Sequence, residues 1–140
     1  MVADSKVEAL KRVSVFSHCS RTELEWLSNQ MDQVRVEQGK TLTEEGRPGH
    51  TFYVLLEGEV AVEIEGQLRA VLVPGDFFGE VSMLDGGPAT ATCKTTQPAL
   101  LLVMSHEQFR NAVRSNDAVL AGVMAAMAQR LRENASAGSA

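Results

Sequence analysis

Between residues 33 and 104 the chain alternates apolar and polar residues at period two, with glycine turns interrupting it about every eight to twelve residues. Val34 and Val36 alternate with Arg35 and Glu37, and Val60, Val62 and Ile64 alternate with Glu59, Glu63 and Glu65. Successive side chains on a strand point to opposite faces, so each such run has one buried face and one wet face. Residues 52–56 form a continuous apolar strand, and residues 41–44 a short strand between the Gly39-Lys40 turn and the Gly46-Arg47-Pro48-Gly49 loop. Glu65-Gly66-Gln67 is a hairpin turn with 68–73 as its return strand. Residues 90–96 and 100–104 are two more strands, separated by Gln97-Pro98. Roughly eight short strands predict a mainly β fold, a barrel or sandwich.

Helices flank this block. Val7, Leu10 and Val13 lie at three-residue spacing, with Asp4 or Ser5 as a cap. Ser20 and Glu23 have the spacing of a capping box, and Leu24, Leu27 and Met31 form the buried stripe behind it. Phe16, between these helices, reads as a core anchor. Ser105 and Gln108 repeat the box ahead of Phe109 and Val113. Asn116 or Asp117 starts a last helix with Val119, Val123, Met127 and Leu131 on one face, and residues 135–140 read as a flexible polar tail. Residues 1–134 therefore form one domain, long enough to bury a sizeable core.

Charge and cysteine usage exclude several classes. A formal net charge of −5, with no Lys/Arg cluster, leaves no basic face for DNA. The longest apolar run, 118–128, is too short to span a bilayer, and Asp4 and Glu8 interrupt any signal-peptide core. Neither membrane nor DNA is expected as a partner. Cys19 and Cys93 have no partner at metal or redox spacing, which fits a reduced, cytoplasmic chain. His18, His50 and His106 are scattered along the chain, so no metal and no cofactor are expected. No nucleophile, base and orienting group fall into a catalytic pattern, so no enzymatic activity is expected.

One segment departs from plain strand and turn. Residues 74–92 read Pro-Gly-Asp-Phe-Phe-Gly-Glu-Val-Ser-Met-Leu-Asp-Gly-Gly-Pro-Ala-Thr-Ala-Thr. Glycines around a lone carboxylate, followed by the start of a short helix, suit a pocket for a small anionic ligand, since backbone N–H groups at a helix start bind phosphate.

The blocks Gly39-Lys40-Thr41-Leu42, Glu45-Gly46, Phe52-Tyr53-Val54-Leu55, Glu57-Gly58-Glu59-Val60 and Leu72 through Glu80 resemble successive signatures of the cyclic-nucleotide-binding domain, as in cAMP receptor proteins and protein kinase A regulatory subunits. The resemblance covers residues from about 10 to 132 and implies an eight-stranded jelly-roll barrel between N-terminal and C-terminal helices. It makes 74–92 the phosphate-binding cassette, with ligand-binding positions at Phe78, Gly79, Glu80, Val81, Ser82, Ala89, Thr90 and Ala91. Glu80 would accept a hydrogen bond from the ribose 2′-hydroxyl, although an acid there also suits a helix N-terminus. Gly79 would let the sugar approach the backbone, and Ser82 would meet the cyclic phosphate. Thr90 is a ligand contact or a strand former. Val62 and Val71 would neighbour the base, and Arg130 or Arg132 would cover it.

The chain departs from the family pattern at Ala89, where an arginine pairs with the cyclic phosphate. Losing one partner of a buried charge pair costs roughly 2–5 kcal/mol, which weakens a site by tenfold to a thousandfold or more. Among other cations, Lys94 counts onto the opposite face of its strand, Arg69 onto the face away from Leu68, Ala70 and Leu72, and Arg47 lies in a loop. The expectation is a regulatory module that binds cAMP or cGMP weakly and signals to an effector domain or protein through its C-terminal helices. The alternative is a degenerate form of the same fold, without ligand sensing, serving interaction or autoinhibition.

Overall fold

The computed structural model describes residues 2–79 and 87–138. Helix α1, Val2–Leu10, starts ahead of the Asp4 or Ser5 cap expected from sequence. A 3₁₀ turn, Ser14–Phe16, leads to α2, Arg21–Asn29. At α2 the capping box is complete: the Glu23 N–H donates to Ser20 Oγ and the Ser20 N–H donates to Glu23 Oε1.

Eight strands follow among the described residues: β1 Asp32–Val36, β2 Thr41–Thr43, β3 Thr51–Glu57, β4 Val60–Ile64, β5 Gln67–Leu72, β6 Phe77–Phe78, β7 Thr92–Thr95 and β8 Ala99–Ser105. They form two four-stranded antiparallel sheets, ordered β1-β8-β3-β6 and β2-β7-β4-β5. This is the expected barrel. The β4–β5 turn places both Glu65 (φ 54°) and Gly66 (φ 77°) in the left-handed region, the geometry of a two-residue hairpin.

Two helices close the chain: α3, His106–Ser115, and α4, Asp117–Gly138. The second capping box is also complete, at Ser105 and Gln108. Asn116 Oδ1 caps α4 by accepting from the N–H groups of Ala118 and Val119. The tail expected from residue 135 is helical through Gly138. Extending an existing helix through alanines is far easier than nucleating one.

Strand parity divides the interior in two. Phe52, Val54, Phe77, Leu102 and Met104 face the helices, where they meet Leu10, Phe16, Leu27, Phe109, Val119 and Val123. Tyr53, Leu55, Phe78, Leu101 and Val103 face the barrel lumen and meet Val60, Val62, Leu72 and Cys93. Phe52 anchors the first cluster, with ring centroids 4.6 Å from Phe109, 5.9 Å from Phe77 and 6.3 Å from Phe16. Val119 and Val123 are buried as expected, but Leu131, further along α4, is 69% exposed.

Candidate functional site

The lumen cluster fills only part of the barrel. Beside it lies a cavity of about 910 Å³, at the upper end of the range for small-molecule sites. Its walls come from β2, the 44–51 loop, β4, β5, the 76–79 stretch, the 89–91 stretch and one end of α4.

Phe77 and Phe78 set that wall. Phe78 turns into the lumen and stacks on Tyr53, with centroids 4.6 Å apart and planes 12° from parallel. The Tyr53 hydroxyl donates to the Leu42 carbonyl at 3.2 Å, and burial raises its pKa above the ordinary phenol value. It therefore stays a neutral donor. Phe77 turns the other way, and α4 grips it. Arg130 donates to the Phe77 carbonyl at 2.6 Å, and its guanidinium lies 4.2 Å from the centre of the Phe77 ring. Arg130, Met127 and Leu131 thus complete the cavity from α4. Arg132 does not line it: in a helix the second of two residues so spaced points well away from the first.

Gly79 follows at φ +92°, a conformation L side chains rarely adopt, and any Cβ there would collide with the Thr51 carbonyl oxygen. The glycine is thus required by the fold itself, beyond any approach of a sugar.

The 88–92 stretch is stitched to the 43–48 stretch. Pro48 and Pro88 form an isolated antiparallel bridge, the Ala89 N–H donates to the Arg47 carbonyl at 2.8 Å, and the Ala89 carbonyl accepts from Gly46 at 2.9 Å. Thr43 Oγ1 donates to the Ala91 carbonyl, and the Glu45 N–H donates to Thr92 Oγ1. These bonds start the strand pairing before β7 begins and use both backbone polar groups of Ala89 internally.

Of the residues singled out from sequence, Phe78, Gly79, Ala89, Thr90 and Ala91 all line this one cavity. Glu80, Val81 and Ser82 lie outside the described residues. Val62 lines the cavity, but Val71 does not: it is 46% exposed, on the outer face of β5, opposite Ala61. Lys94 also faces outward, exposed between the buried Cys93 and Thr95.

Arg69 overturns the parity count. Val62 pairs with Ala70 and Glu63 pairs with Leu68, so Arg69 is an extra residue at a β-bulge. Beyond the bulge the faces exchange: Leu68 is 62% exposed on the outside, while Arg69 lines the cavity with Ala70 and Leu72. Arg47 also lines it, with Nε 3.9 Å from a Glu44 carboxylate oxygen in an exposed pair. Sequence reasoning missed Tyr53, Leu42 and Met127 as wall residues, having read them only as strand or helix packing. Among the described residues, no group of three or more His, Cys, Asp or Glu gathers to hold a metal ion, and no helix is long and apolar enough to cross a membrane.

Two antiparallel sheets wrapped around a cavity, with a long helix completing its wall, define a small β-barrel domain with flanking helices. The chain belongs to the cyclic nucleotide-binding domain family, which it matches over residues 33–116. It is 26% identical over 130 residues to a CRP-like cAMP-activated global transcriptional regulator of Mycobacterium tuberculosis, covering 89% of this chain and 58% of the relative. It is 34% identical over 101 residues to the cyclic AMP receptor protein of Thermus thermophilus, covering 69% and 47% respectively. The chain therefore spans about half the length of these relatives. Among solved structures, a cyclic nucleotide-binding domain from Methylobacillus flagellatus superposes with a TM-score of 0.81 at 26% identity, over 94% of this chain and 79% of that one.

Proposed function

We propose that the chain is a regulatory module that binds a cyclic nucleotide, cAMP or cGMP, in the barrel cavity and transmits occupancy through α4. The observation that carries this reading is the shared wall: Phe78, Gly79, Ala89 and Thr90 line the same cavity as Met127 and Arg130 of α4. A ligand touching both sides interacts differently with the docked and undocked helix, and only such a difference can shift the balance between them. In this reading Glu80 accepts from the ribose, Ser82 and Thr90 serve the phosphate, and Arg130 covers the base. The missing cation at Ala89 makes the affinity low. The relatives' names support cAMP as a ligand class, since both are cAMP-activated or cAMP-receptor proteins.

Titration calorimetry with cAMP and cGMP tests the reading. Wild-type chain should bind at least one of them, Glu80→Ala should bind more weakly, and Ala89→Arg should bind tenfold or more tightly. No heat for either nucleotide with wild type or Ala89→Arg refutes it. That result, together with a melting temperature unmoved by millimolar nucleotide, favours the reading of an interaction or autoinhibitory module, because only a ligand that binds the native state raises its stability.

A further inference from the structure

We propose that Arg69 is the cation this cavity presents to the anionic group of its ligand, in place of the one absent at Ala89; this rests on the cyclic-nucleotide reading above. Three arginines line the cavity among the described residues, and their circumstances differ. Arg130 is engaged with the carbonyl and ring of Phe77, and Arg47 pairs with Glu44. Arg69 makes no side-chain hydrogen bond or ion pair with any described residue.

Its position is built by the backbone. The hairpin at Glu65-Gly66 pairs Ile64 with Gln67, and the bulge beyond it inserts Arg69 on the cavity side between Leu68 and Ala70. Bulges commonly re-aim a side chain beside a functional site. Here the bulge delivers a charge to a wall whose other β4 and β5 members are Val62, Ile64, Ala70 and Leu72. β5 and β7 lie two strand spacings apart, about 10 Å, with β4 between them, and the Ala89–Ala91 stretch that leads into β7 lines the same cavity as Arg69. The bulge arginine and this stretch are thus two walls of one cavity. Among the described residues, the carboxylates on the same walls are Glu44, which holds Arg47, Asp76, which accepts from the Val73 N–H at 2.9 Å, and Glu133 at the α4 edge. A guanidinium left over in such a cavity is a receptor for an anion, and phosphate is its best geometric match.

The test is calorimetric titration of wild type, Arg69→Gln, Arg69→Lys and Arg69→Gln/Ala89→Arg with the better-bound nucleotide, cAMP or cGMP, at low and high salt. Arg69→Gln should weaken binding about tenfold or more and flatten its salt dependence, while Arg69→Lys keeps most of the affinity. Adding Ala89→Arg should restore binding to Arg69→Gln, because either cation can meet the one phosphate. Nucleotide-free melting temperatures check that the exposed substitution leaves the fold unchanged. Unaltered affinity in Arg69→Gln overturns the proposal and leaves the binding reading standing. So does a loss of affinity that salt does not modulate and Ala89→Arg does not repair, which marks a contact with the base or sugar. Absence of binding by wild type and by Ala89→Arg removes the binding reading itself, and the role of Arg69 with it.

Discussion

Replacing a glycine inside a helix by alanine ordinarily stabilises it by about 0.8–1 kcal/mol. At Gly122 the sign reverses. Gly122 is buried in α4 where the helix crosses the 3₁₀ turn Ser14–Phe16, between Val119 and Val123. An added Cβ would overlap the Val15 carbonyl oxygen and come within 2.8 Å of its carbonyl carbon and 3.5 Å of its Cα. These are backbone atoms, so no rotamer change clears them, and either α4 or the turn must move. Overpacking of this kind costs about 1–3 kcal/mol. A backbone overlap this severe lies at the upper end of that range, so after the propensity gain the net loss for Gly122→Ala is about 2 kcal/mol, or about 5–8 °C in melting temperature for a domain of this size. Thermal and urea unfolding followed by circular dichroism measure it. Because Met127, Arg130 and Leu131 lie about one and a half to two and a half turns further along the same helix and line the cavity, the variant should also show a changed environment at the Phe77–Phe78 wall. Amide chemical shifts report that change. An increase in melting temperature would refute the reasoning: α4 would not then be seated against the turn.

Two other substitutions check separate parts of the structure. Gly79→Ala places a side chain at φ +92° and onto the Thr51 carbonyl oxygen, so it should lower stability by about 1–3 kcal/mol and weaken nucleotide binding with the rest of the cassette sequence intact. Urea unfolding and calorimetry on the same sample separate the two losses. For Cys19, burial first and the Glu23 carboxylate second push the thiol pKa from near 9 up to about 11. The folded chain therefore holds this proton more tightly than the unfolded chain, and the associated stability is present below about pH 9 and is lost as pH rises towards 11. The urea midpoint of wild type should fall more steeply over that window than that of Cys19→Ser, and iodoacetamide should alkylate native Cys19 slowly at pH 8.

What could be read without coordinates was local in cause. Both capping boxes depend on side chains three residues apart, and both form as their spacing demands. The Glu65-Gly66 turn is likewise a short-range event, and the strands appear where alternation marks them. The two-residue strand Phe77–Phe78 was hidden, because two adjacent phenylalanines carry no period. Only the three-dimensional arrangement sends one ring to the helices and the other to the lumen. Leu131 was misjudged for a related reason. The stripe it shares with Val119 and Val123 continues along α4, but helical spacing alone does not say how far the packing against the rest of the domain extends, and only the first two are buried.

Arg69 is the instructive failure, because the sequence contains two counts that disagree. Counting outward from the two-residue turn, Ile64 meets Gln67, Glu63 meets Leu68, and Arg69 falls on the same face as Val62, inside. Counting inward from the apolar alternation of Leu72, Ala70 and Leu68, Arg69 falls outside. Either count alone is self-consistent, and both cannot hold along one unbroken strand. The structure satisfies the first near the turn and the second beyond Ala70 by inserting one residue, at the cost of leaving Leu68 in solvent. A conflict between turn-derived and burial-derived register is thus itself a signature of a bulge, and it falls at the one residue of β5 that bears a charge. Apolar burial alone would have favoured Leu68 inward. The register set by the turn wins over that preference near the hairpin, and it is what brings a charged side chain to the cavity wall.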